Sequence, residues 1–257
     1  MSRRAPLLLL SFLLSALPAA AQFTPQEKKE AKKDPKMYTL DELSVKVTEE
    51  GAAVSTLDLD PTGGSINDQL VVIDHIINTG KDLWKFLDEN TVVKSTTQFA
   101  TALPQGIRDW TVMEGWKPPQ GKTYRLTAKN LYGMTMVDVK FMVLRNYGGS
   151  YEGKGHYLTA VNAQAIPASS SMGYRVSLEA GAPAEGVVNA GTKADPLAGM
   201  TFIVGWSVET AVKKSKGSLI YYLDGNGTFQ QVGGQMTLKK AEAAVADAKE
   251  ENLKSGS

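Results

Sequence analysis

The chain contains no cysteine. Disulfides, thiolate metal sites and cysteine nucleophiles are therefore excluded, as is the lipid-attachment cysteine that follows a lipoprotein signal. A domain exported without disulfides must be held by its core alone. Histidine is nearly absent too, with only His75 and His156. Structural zinc sites draw mainly on cysteine and histidine, so that chemistry has few donors here. Charge of one sign is also missing: 28 basic against 27 acidic residues leave a net charge of +1. Such a balance gives no bias toward nucleic acid or an anionic membrane surface. No stretch beyond the first residues is apolar enough to cross a bilayer as a helix, which needs roughly 20 residues.

What is present begins with an address. Arg3 and Arg4 precede an apolar run from Leu7 to Leu17, and Ala19-Ala20-Ala21 supplies a small-residue cleavage pattern. These are the parts of a secretory signal peptide. The residues after Arg3-Arg4 match a twin-arginine signal poorly. The expectation is a signal peptide over 1–21, cleaved after Ala21, and a product in the periplasm, at the cell surface or outside the cell. Residues 22–37 then mix Lys28, Lys29, Lys32, Lys33 and Lys36 with Glu27, Glu30 and Asp34. Without an apolar face this reads as a charged, flexible, solvated leader. Membrane docking would need apolar residues that the segment does not have.

Residues 38–234 read as a single β-rich domain. Leu43, Val45 and Val47 alternate with polar neighbours, the mark of a half-buried strand, and a second short piece covers Leu57 to Leu59. Ser65 with Asp68 resembles a capping box. Ile66, Leu70, Ile73, Ile76, Ile77, Leu83, Trp84 and Leu87 follow at helical steps. An amphipathic helix is expected over about 66–89. The period then changes to two. Alternating strands are expected around Lys122–Ala128, Val137–Val143, Tyr157–Ile166, Tyr174–Ala180, Met200–Val212, Ser218–Leu223 and Thr228–Val232. Turn chemistry separates them at Pro118-Pro119-Gln120-Gly121, Gly148-Gly149 and Asp224-Gly225-Asn226-Gly227; Asn-Gly is the strongest hairpin signal. The tail 235–257 is helical by propensity but offers mostly alanine to pack. The expected fold is all-β: an antiparallel β-sandwich of roughly eight to ten strands, one packed amphipathic helix and a peripheral C-terminal helix.

Motifs for chemistry fail on spacing or context. Gly115 to Thr123 resembles a phosphate loop, but five residues precede Gly121 and a strand follows, so it reads as a hairpin turn. Ser150 stands in a near nucleophile elbow that ends on Glu152 where glycine belongs. Asp58, Asp60 and Thr62 follow the opening rhythm of a calcium loop, although Gln69 occupies the place of the bidentate glutamate. Asp224, Asn226 and Thr228 form a second alternating set, which also fits a turn bonding its own backbone. Asn226-Gly227-Thr228 is a glycosylation sequon in a eukaryotic setting.

The remaining candidates are Trp110, Trp116, Tyr147, Tyr151 and Tyr157. Aromatic side chains on loops stack on sugars or anchor protein partners. Where sheets end, the same residues serve as core. The function expected is an exported, non-catalytic binding or structural module of the envelope or surface. Its ligand would be a protein or a glycan, with no nucleic acid partner. Calcium is the one cofactor with candidate donors. The alternatives are an extracytoplasmic hydrolase built on two carboxylates, and a membrane-active protein that forms β-pores.

Overall fold

The computed structural model describes residues 23–53, 71–73, 76–78, 83–92, 98–104, 106–107, 110–166 and 170–234. The expected signal peptide, the calcium loop at Asp58, Asp60 and Thr62, and the C-terminal helix lie outside them.

Period-two alternation, with one apolar face per strand, makes sheets that must bury that face against each other. The first sheet contains β1 (Leu40–Ala53), β2 (Val71–Ile73), β3 (Ile76–Asn78), β6 (Ala100–Pro104), β7 (Gln120–Asn130), β8 (Thr135–Tyr151) and β9 (Lys154–Ile166). Their order is β1-β7-β8-β9-β6-β3-β2. The second contains β4 (Trp84–Asp88), β5 (Thr91–Val92), β10 (Arg175–Gly181), β11 (Val187–Asn189), β12 (Ala198–Glu209), β13 (Lys214–Asp224) and β14 (Phe229–Gly234). These run β14-β13-β12-β10-β4-β5, with β11 also paired to β12. These strands all pair antiparallel. Val137, Val139, Phe141 and Val143 of β8 are buried, as are Met200, Phe202, Val204 and Trp206 of β12. Rings meet between the sheets: Tyr124 and Tyr221 at 5.0 Å, Phe86 and Phe141 at 6.2 Å. Burying each such side chain fully is worth about 1.5–3 kcal/mol. This is the expected all-β sandwich.

Among the described residues of 66–89 the expected amphipathic helix is not found. Its described residues are the strands β2, β3 and β4. Four of its eight apolar steps are isoleucine, and Val71 and Val72 stand among them; such β-branched side chains fit a pleated surface better than a helix. In β4 Trp84, Phe86 and Leu87 are buried, with Lys85 exposed between the first two. Three-residue strands such as β2 and β3 help to explain why fourteen strands stand among the described residues where eight to ten were expected.

Helix forms instead in the charged leader. The single α-helix among the described residues is α1 (Pro25–Lys33). Thr24 caps it reciprocally: its hydroxyl accepts from the Glu27 N–H at 3.1 Å, and the Glu27 carboxylate accepts from the Thr24 N–H at 2.6 Å. Pro25 is preorganised for the first turn, and Lys32 and Lys33 complement the dipole at the last. A helix this short needs packing as well. Phe23 and Ala31 supply it, both buried against the sandwich.

Two further turns move. Gly148-Gly149 lies inside β8 at a bulge, and the β8–β9 reversal is made by Glu152 and Gly153, both with positive φ. Residues 113–119 do not form a hairpin. They belong to a crossover that leaves β6 and passes the ends of β9 and β8 to reach β7.

Candidate functional site

Strand registers place the loops at two opposite ends of the sandwich. At one end lie the crossover, the β8–β9 turn, the loop before β12 and the β13–β14 turn. All five candidate aromatic residues gather here, but their faces are used in packing. The Trp110 and Trp116 rings meet edge to face at 6.4 Å, and the Trp116 Nε1–H donates to the Trp110 carbonyl at 3.2 Å. The Trp116 ring lies on Gly149, where a Cβ would come within 2.5 Å of it. Tyr157 is buried and folded over Gly155. Tyr147 packs between Gly227 and the guanidinium of Arg145, and Tyr151 is partly buried against the core. Together they close this end of the sandwich.

Arg145 is the side chain here that sequence reasoning missed. It continues the inward row of Val139, Phe141 and Val143, and only 2% of it is exposed. Its guanidinium donates to the carbonyls of Gly227 and Thr228 in the β13–β14 turn of the opposite sheet and lies between the Tyr147 and Phe229 rings. Burial pushes its pKa below the usual arginine value, while the nearby Asp224 charge opposes that shift. The Asp224 carboxylate accepts the N–H groups of Asn226 and Thr228 at 3.0 and 2.9 Å. The alternating set at 224–228 is therefore a turn that satisfies its own backbone, pinned from across the sandwich. Among the described residues no group of three His, Asp or Glu side chains is placed to hold a metal. The Ser150 hydroxyl donates to the Glu114 carbonyl at 3.4 Å, within a two-strand bridge.

An open site lies elsewhere, on the outer face of the second sheet. Three cross-strand rows meet there in register: Glu179, Gly205 and Ser218; Ser177, Ser207 and Lys216; Arg175, Glu209 and Lys214. Lys85 of β4 extends the first row. Small side chains in the middle and long ones around them make a groove of about 580 Å³. Its ions are partly matched: Lys85 meets Asp88 at 2.9 Å, and Lys214 meets Glu209 at 3.2 Å. The Asp88 contact raises the Lys85 pKa, so that ammonium stays charged. Lys216 is exposed and makes no ion pair with a described residue. At one end of the groove Arg175 is covered by the Phe23 ring, 3.9 Å away, and reaches Glu27 at 3.8 Å. The lining offers hydroxyls and both signs of charge, with no histidine, so it is equipped to hold a polar ligand by hydrogen bonds and ion pairs. Alternation in the sequence marks Arg175, Ser177, Glu179, Ser207 and Glu209 as a polar face. Register across strands, which brings the small residues side by side, has no sequence signal.

Comparison with protein-family models, with curated proteins and with solved structures found no match for this chain.

Proposed function

We propose that the protein is an exported, non-catalytic binding module of the envelope or cell surface, and that the groove on the second sheet holds its ligand. The observation that carries this reading is the groove itself: a hydroxyl-lined floor, flanked by both signs of charge, on a platform of four paired strands. Binding faces built on strands hold their geometry better than loops do. Charges of alternating sign favour a protein segment carrying both signs over a uniform polyanion. The one aromatic residue in its lining, Trp206, is buried, so no ring face is open for a sugar to stack on, which argues against a neutral glycan.

Cell fractionation with N-terminal sequencing tests export; the expected product begins at Gln22. Calorimetry with peptides of alternating Glu and Lys, beside neutral oligosaccharides, tests the ligand class. Ser207→Trp fills the floor on an outward position, so stability should change by no more than about 0.5 kcal/mol while peptide binding is lost. Turnover of a polysaccharide, abolished by Glu179→Gln or Glu209→Gln, would replace this reading with a hydrolase.

A further inference from the structure

The end of the sandwich opposite the aromatic closure carries a second surface, independent of the groove ligand. In sequence the 22–37 segment mixes signs. In the structure the signs are sorted. Phe23, Glu27, Glu30, Ala31 and Asp34 recur at helical spacing and face the body. Each acid is occupied there. Glu27 bonds the Thr24 cap and reaches Arg175, Glu30 accepts from the Tyr38 hydroxyl at 3.4 Å, and Asp34 accepts from the Tyr132 hydroxyl at 2.9 Å. Lys28, Lys29, Lys32, Lys33 and Lys36 are left exposed, and none makes an ion pair with a described residue. A segment of five lysines and three acids thus presents a face of one sign.

Apolar side chains project from the loops beside it. Leu131, Tyr132 and Met134 stand on the β7–β8 turn, Met172 on the β9–β10 loop, Val212 on the β12–β13 turn and Leu43 on a bulge of β1. All are exposed, Met172 to 87% and Leu43 to 76%. More than half of the exposed large apolar side chains among the described residues are these. The loops are tied to the chain leaving α1: the Leu131 N–H donates to the Thr39 carbonyl at 3.2 Å. The Tyr174 hydroxyl donates to that of Met37 at 2.7 Å and the Thr210 hydroxyl to that of Tyr38 at 2.7 Å. Burial pushes the Tyr174 hydroxyl up to about 12, so it remains a donor.

We propose that this end docks on an anionic lipid surface, the lysines meeting headgroup phosphates and the loop-tip Leu, Met and Tyr side chains entering the acyl boundary. Lysines beside scattered apolar anchors are the combination by which proteins lie on a bilayer without crossing it. A soluble polyanion or an acidic protein would use the lysines and leave the apolar tips in water.

Co-sedimentation tests it, using the purified protein with vesicles of phosphatidylcholine alone and of an equal mixture with phosphatidylglycerol. Binding is expected only to the anionic vesicles, and to be released by salt. Replacing Lys28, Lys29, Lys32 and Lys33 together with Gln should weaken binding by at least roughly tenfold, whereas replacing them with Arg should preserve it. The double variant Leu131→Ser, Met172→Ser should bind anionic vesicles more weakly with its far-UV circular dichroism unchanged. No binding to anionic vesicles at low salt would overturn the proposal. So would unaltered vesicle binding by the Leu131, Met172 variant together with equal retention on dextran sulfate, which would mark a plain polyanion site. Ser207→Trp should leave vesicle binding intact, which separates this surface from the groove.

Discussion

The two ends of the sandwich treat the same residue types in opposite ways. At the aromatic end, large rings are turned inward onto glycines, and a cation, Arg145, is buried with them. At the α1 end, carboxylates are turned inward onto hydroxyls and N–H groups, while Leu, Met, Val and Lys side chains face out. Exposure is thus set by what the facing backbone can accommodate. Gly149 admits the Trp116 ring because it has no Cβ, and Thr24, Tyr38 and Tyr132 accommodate acids because each brings a donor. One end is closed by packing and the other by capping and hydrogen bonds, so the two should fail under different perturbations.

The largest effect is expected at Arg145. Arg145→Ala removes the donors to Gly227 and Thr228 and leaves Asp224 without its nearby cation, which should cost about 3 kcal/mol in urea unfolding. A loss well under 1 kcal/mol would mean that the β13–β14 turn does not depend on this clasp. Gly149→Ala comes next. Its methyl group would stand 2.5 Å from the Trp116 ring, and the resulting displacement should cost about 2 kcal/mol and red-shift tryptophan emission. An unchanged spectrum would show that the ring is not held on the strand.

The smallest effect is acid loosening confined to α1 and its neighbours. The Thr24 N–H and hydroxyl, aided by Arg175, hold the Glu27 carboxyl below its ordinary 4.5; Lys213 and Ser215 do the same for Glu42. Both carboxyls bind protons less readily folded than unfolded, so their stabilisation is present above pH 4.5 and is lost as pH falls below that through the folded values. Hydrogen-exchange protection of α1 should drop on acidification while that of residues around Trp116 persists. Simultaneous loss at both ends would erase the contrast.

Much of the β architecture was legible. The alternation of Val137 to Val143 and of Met200 to Val208 points to strands directly, because a side chain on a strand has only two faces to choose from. The Asn226-Gly227 turn was legible for a similarly local reason, the positive φ that Gly227 adopts. The 66–89 region was misleading, since short runs of Ile and Val separated by polar residues satisfy helical and strand spacing alike. For the candidate sites, the sequence could single out Trp110 and Trp116 as aromatic residues in a loop. It held no sign that Gly149, more than thirty positions on, would receive the Trp116 ring. Arg145 reads as one more residue in a strand until the partner sheet supplies Gly227 and Thr228.

By itself the amino-acid sequence determined the class of the protein: cysteine-free, nearly neutral, with strands marked by period two and turns marked by glycine and asparagine. These are local properties, carried by a few consecutive residues. Tertiary structure alone decided which polar rows form a groove, which rings are spent on closure, and which charges of the leader remain outside. Each of those outcomes depends on a partner far along the chain, and the lysine face of α1 exists only because the body of the sandwich takes up its acids.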